Sequence, residues 1–159
     1  MLKNFLWVFF ISMVPLIELR GAIPVSQALK LPVISSYVVS IIGNMIPVPF
    51  IFLFARKFLE WGQDKCLVGG ICRFFLLRGT SAGEKMQAKA GRGLYFALFL
   101  FVGIPLPGTG AWTGTLAASL LDLDGKKTSL AVMGGVLLAG VIMLVLTLLG
   151  VGAANAVAG

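Results

Sequence analysis

Two stretches of this 159-residue chain place reactive groups among apolar neighbours. The first is Glu18-Leu19-Arg20-Gly21-Ala22-Ile23-Pro24. Glu18 can take up and release a proton, whereas Arg20 stays cationic and offers a planar fork suited to phosphate or carboxylate. A charge at mid-membrane costs about 2.5–3.5 kcal/mol on insertion scales unless it is paired, solvated or bound. The favoured reading is therefore a proton-coupling acid, Glu18, beside an anion-binding base, Arg20, with Gly21 and Pro24 counted in the same substrate-binding group. Two blander readings stand beside it. The residues form a structural pair that ties down a turn, or they lie at the surface after an ordinary span.

The second stretch, Gly103-Ile104-Pro105-Leu106-Pro107-Gly108-Thr109-Gly110-Ala111-Trp112-Thr113-Gly114, carries no charge. Pro105 and Pro107 lack amide donors and stop helices, while Gly108 and Gly110 tolerate positive φ and close backbone approach. Such a turn leaves carbonyls and amides free at membrane depth, and Thr109, Trp112 and Thr113 add side-chain partners for a substrate. The alternative is a packed turn whose threonines satisfy its own backbone, with Trp112 as an interfacial anchor. Asn44, just before Pro47-Val48-Pro49, is a further candidate substrate contact if the helix breaks there; a simple kink is the competing reading.

The elements that must position these residues are membrane helices. Hydrophobic residues make up 58% of the chain and charged residues 12%, and mean hydropathy is +1.00; soluble domains carry about 25% charged residues. Val33–Phe54 and Leu130–Leu149 contain no charge and are long enough to span, since a crossing takes about 20 apolar residues. Each is preceded by two short apolar runs separated by a turn: Phe5–Ile17 and Ala22–Leu31, then Leu94–Ile104 and Ala111–Leu121. These runs are too short to cross. Each pair is either a re-entrant hairpin or one broken span.

Charge favours the hairpins. Eight of 13 basic residues lie in Arg56–Arg92, which the positive-inside rule puts in the cytoplasm. With hairpins, both termini lie outside, and Lys126 and Lys127 join the cytoplasmic side. The expected architecture is all-α and integral to the cytoplasmic (inner) membrane. It has two inverted repeats, each a re-entrant helical hairpin plus a transmembrane helix. The first repeat covers 1–54 and the second 94–159, around a basic connector, 55–93. Within that connector, 66–78 reads as an interfacial amphipathic helix that meets anionic headgroups, and 79–85 as a mobile loop. The N-terminal run resembles a signal peptide but is read as retained, because no convincing cleavage site follows.

Other classes fit poorly. The net charge of +7 follows from topology, and no nucleic-acid motif accompanies it. The chain has no histidine and two cysteines, Cys66 and Cys72, too few ligands for an ordinary zinc site; both are expected as free thiols. The glycine pattern of 79–85 is not a P-loop. With no nucleophile–base constellation, neither an enzyme nor a bound cofactor is expected. Small residues four apart, Gly110/Gly114/Ala118, Ala22/Ser26 and Ser36/Ser40, allow close helix packing, internally first and across a dimer second.

Both motifs, in their order and spacing, resemble the hallmark stretches of the small multidrug export protein family, itself distantly similar to the DedA/VTT superfamily. The resemblance implies an inner-membrane transporter built from inverted repeats. In DedA relatives it further implies proton-dependent movement of the lipid carrier undecaprenyl phosphate. The uncharged second turn departs from DedA proper, in which arginines surround that position. The expected function is thus transport of an amphipathic substrate, a lipid phosphate or a drug-like molecule, by a homodimer among membrane lipids. The rival is a membrane scaffold or assembly factor.

Overall fold

In the computed structural model, residues 1–62, 69–90, 93–106 and 108–158 are described, and among these the regular elements are all helical. Cys66 and Pro107 therefore lie outside the described residues. The order is α1 (Leu2–Met13), α2 (Glu18–Ala28), α3 (Val33–Met45), α4 (Pro47–Phe50), a π-helical turn (Ile51–Ala55), α5 (Arg56–Gly62), α6 (Gly69–Ala90), α7 (Leu94–Gly103), α8 (Ala111–Leu120) and α9 (Gly125–Ala158).

Two stretches, Val33–Phe54 and Gly125–Gly150, are long and apolar enough to cross a bilayer. α1, α2, α7 and α8 have 10 to 12 residues, about 15–18 Å at 1.5 Å per residue and short of about 30 Å of hydrocarbon. Large apolar side chains cover the exterior: Ile34 is 80% exposed and Leu130 71%. In water such a surface would aggregate; in lipid it is solvated.

α7 lies along α9, and α1 packs against both α2 and α3, while α2 also meets α9. Leu19 and Ile23 of α2, Leu98 and Val102 of α7, Ala117 and Ala118 of α8, and Val132 and Val136 of α9 form one core. Small residues set the spacing. A Cβ on Gly135 would stand 2.7 Å from Val102 Cβ, and one on Gly103 2.8 Å from Leu138 Cδ2. Gly110, Gly114, Ala118, Ala22, Ser26, Ser36 and Ser40 are all buried within the chain. These stripes serve internal packing, so they are not left exposed for a partner.

The first spanning stretch is broken. Pro47 and Pro49 have no amide to donate to the preceding turn, and the helix gives way at Ile46, restarts as α4 and widens into the π-turn. Ser119 Oγ donates to the Phe52 carbonyl in that turn at 2.8 Å, tying it to α8.

α2 and α8 end alike. Lys30 and Asp122 adopt positive φ, 55° and 52°. The next amides, Leu31 N and Leu123 N, donate back to Ser26 O and Ala118 O, each at 3.0 Å. This is the Schellman arrangement that turns a chain sharply out of a helix.

The connector differs from the sequence reading. α6 runs from Gly69 to Ala90, so the loop expected over 79–85 is overturned. Gly79 and Gly83 face α8 and its C-terminal cap: a Cβ on Gly79 would stand 2.8 Å from Leu116 Cγ, and one on Gly83 3.3 Å from Leu121 Cγ. They permit close helix contact rather than a bend. Of the expected interfacial helix over 66–78, residues 66–68 lie outside the described residues, and 69–78 form the first part of a longer helix with one face packed on α8.

Candidate functional site

The turn between α1 and α2 is tight. Leu16 and Glu18 have φ of 72° and 53°, the left-handed region that non-glycine residues seldom occupy. A Cβ on Gly21 would meet Ile17 Cγ2 at 2.4 Å, so Gly21 lets this turn fold back on α2. The result points Glu18 inward, 3% exposed, on the first residue of α2.

A helix N-terminus carries unpaired amides and a partial positive charge. α8 begins after Gly110, which has no side chain to cap it. Glu18 supplies the missing acceptor from 93 residues away: the Ala111 amide donates to Oε2 at 3.2 Å and the Trp112 amide to Oε1 at 2.9 Å. Gly110 makes room for the carboxylate. Its φ is +142°, and a Cβ there would lie 2.3 Å from Glu18 Oε2. The Trp112 indole donates to the Met13 carbonyl at 3.1 Å, tying α8 to the end of α1 as well.

Arg20 does the complementary work at the other end of the same turn. Its guanidinium donates to the Leu106 carbonyl, to Thr109 Oγ1 at 2.9 Å, and at 3.4 Å to the Val102 and Ile104 carbonyls. The Thr109 hydroxyl in turn reaches the Ile104 and Leu106 carbonyls, each at 2.9 Å. α7 ends here, where carbonyls without helical partners carry partial negative charge. The uncharged segment between α7 and α8 therefore receives an anion at its helix N-terminus and a cation at its helix C-terminus, both from α2.

The structure brings together Glu18, Arg20, Pro105, Gly108, Thr109, Gly110, Trp112 and Thr113 within or against this junction, while Gly21 packs on Ile17 in the α1–α2 turn. Pro105 sits in a tight turn closed by the Leu106 amide donating to the Ile104 carbonyl at 2.8 Å. Pro24 lies inside α2, where it cannot donate to the Arg20 carbonyl. Asn44 is 1% exposed on α3, and neither its amide nitrogen nor its oxygen has a hydrogen-bond partner. Buried amides are seldom left so, but no hydrogen bond links Asn44 to the Glu18–Arg20 cluster.

Arg78 was not singled out from the sequence. It projects from α6 onto the turn: a Cβ on Gly108, φ +83°, would lie 1.7 Å from its Nη2. Its signal was available in principle, as a basic residue closing the apolar run Phe74-Phe75-Leu76-Leu77. Nothing in the sequence tells which turn it reaches. Beside it a cavity of about 250 Å³ opens among Phe58, Ile71, Phe75, Trp112 and Leu116. Among the described residues no cluster of three or more Cys, Asp or Glu side chains is placed to hold a metal ion.

A protein-family model described as "Putative small multi-drug export protein" matches residues 18–142. The match begins at Glu18 and includes the whole α7–α8 junction. No curated protein and no solved structure matches the chain.

Proposed function

The chain belongs to the small multi-drug export protein family and to the membrane, and on that premise we propose that it is a DedA-like transporter, moving an amphipathic substrate across the cytoplasmic membrane with proton coupling. In this reading α1–α2 and α7–α8 are re-entrant hairpins of two inverted repeats, and the connector 55–93 faces the cytoplasm with both termini outside. Support comes from the repeated element order, two short helices before each spanning stretch, and from the matching ends of α2 and α8.

The observation that carries the proposal is the Glu18–Arg20 clamp on the α7–α8 junction. Protonation of Glu18 would remove the charge at the N-terminus of α8 and convert one carboxylate oxygen from acceptor to donor, releasing one of two amides. The junction then has a tight, ionised state and a loose, protonated one, which is what alternating access requires of a coupling acid. A lipid phosphate or a drug-like molecule would pass between the hairpins, and no chemical conversion is part of the cycle. A homodimer supplies the second wall of the path that one small chain lacks.

The test is transport by reconstituted protein. Wild type should move an amphipathic probe faster under an imposed proton gradient, Glu18→Gln should lose the dependence on the gradient, and Arg20→Ala should lose transport. Unimpaired, gradient-dependent transport in both variants refutes the mechanism. No transport by wild type, together with a stable co-purifying protein, would favour a scaffold.

A further inference from the structure

Arg78 stands at the edge of a cavity that neither Glu18 nor Arg20 lines. The walls are Phe58 of α5, Ile71 and Phe75 of α6, and Trp112 and Leu116 of α8. Among the residues that line it, Arg78 alone carries a formal charge. Its guanidinium lies against Gly108 and 5.5 Å from the centre of the Phe74 ring. Five donors in one plane leave such a group able to hold a neighbour and still take an anion. Phe58 and Ile71 at the rim are 57% and 63% exposed, so the cavity opens through an apolar mouth.

Size and charge select the occupant. Pockets that enclose a drug-sized molecule measure about 300–1,000 Å³; at about 250 Å³ this one holds part of a chain, with the rest continuing through the mouth. A cation set in hydrocarbon walls complements an anionic head on an apolar tail and opposes a cationic one. We infer that this cavity seats an acyl chain of an anionic membrane lipid whose phosphate meets Arg78, so that a bound lipid buttresses the junction at Gly108 and Trp112. The site shares the Trp112 wall with the Glu18–Arg20 clamp but neither of its charged groups, and its occupancy requires no translocation.

Trp112 in the wall reports on it. The chain has three tryptophans, and Trp7→Phe with Trp61→Phe leaves Trp112 as the sole emitter. This protein is reconstituted in phosphatidylcholine vesicles containing either phosphatidic acid or phosphatidylcholine with brominated acyl chains, at equal mole fraction. One arginine near the surface favours an anionic lipid by about five-fold, so brominated phosphatidic acid should quench Trp112 as a several-fold higher fraction of brominated phosphatidylcholine would. Arg78→Gln should bring the two lipids to parity, while Arg78→Lys should keep part of the preference. Inorganic phosphate, which has no tail, should leave the quenching unchanged. Parity in the Arg78-containing protein overturns the inference, and that comparison decides even if the variants fail to fold. A preference retained in folded Arg78→Gln, or reversal by inorganic phosphate, also overturns it.

Discussion

Glu18 and Arg20 are set two apart on α2, and each completes a helix end that its own segment leaves open. A buried donor left unpaired costs about 1–3 kcal/mol, so Glu18→Ala, which strands the Ala111 and Trp112 amides, should lower unfolding free energy by about 2–6 kcal/mol. Glu18→Gln keeps one acceptor and should lose less than half of that, measured by chemical unfolding in one detergent. Gly110→Ala introduces both a clash with the carboxylate and a disfavoured φ, and should cost about 1–3 kcal/mol or more. A stability equal to wild type for Gly110→Ala would mean that the carboxylate does not sit there. The sequence made the pair visible, since an acid and a guanidinium in apolar surroundings need partners. It also made visible the turn's appetite for partners, through its prolines and glycines. That one satisfies the other, group by group, depends on contacts across 82 to 94 positions that no local pattern encodes. For Arg78 even the need was invisible, because a basic residue near a membrane surface ordinarily requires no partner at all.

α6 shows how one residue type misleads at the scale of elements. Gly79-Thr80-Ser81-Ala82-Gly83 has the composition of a loop, yet each glycine lies on the α8 side of a continuous helix. Glycine signals either a turn or a close approach, and periodicity decides between them only when the facing helix is known. Gly79→Val should push α6 off Leu116, costing about 1–3 kcal/mol by overpacking, whereas Gly70→Val, with open space at that position, should be close to neutral. Thermal unfolding of the two variants side by side checks this. The proline-rich break after Asn44 was legible because missing amides are a covalent fact; its continuation into a π-turn held by Ser119 was not. The long apolar stretches are legible from their length and lack of charge, and the short ones from being too short to cross.

At the scale of the whole molecule, the first segment braces the second, and in the proposed mechanism it does so inside the membrane. The proposed topology would put the α8–α9 loop in the cytoplasm, so a cysteine at Lys126, in a chain with Cys66 and Cys72 replaced, should react with an impermeant maleimide in inverted vesicles and not in intact cells. Depth is the more direct question. Leu106 is 56% exposed at the tip of the α7–α8 turn, and its backbone carbonyl, which any residue supplies, is what accepts from Arg20, so Leu106→Cys can carry a nitroxide and keep that acceptor. In reconstituted protein, power saturation of that label should show strong relaxation by oxygen, which partitions into hydrocarbon, and weak relaxation by a polar nickel chelate. Dominant relaxation by the nickel chelate would put the turn in water, and a charge clamp in water could not gate a path through lipid.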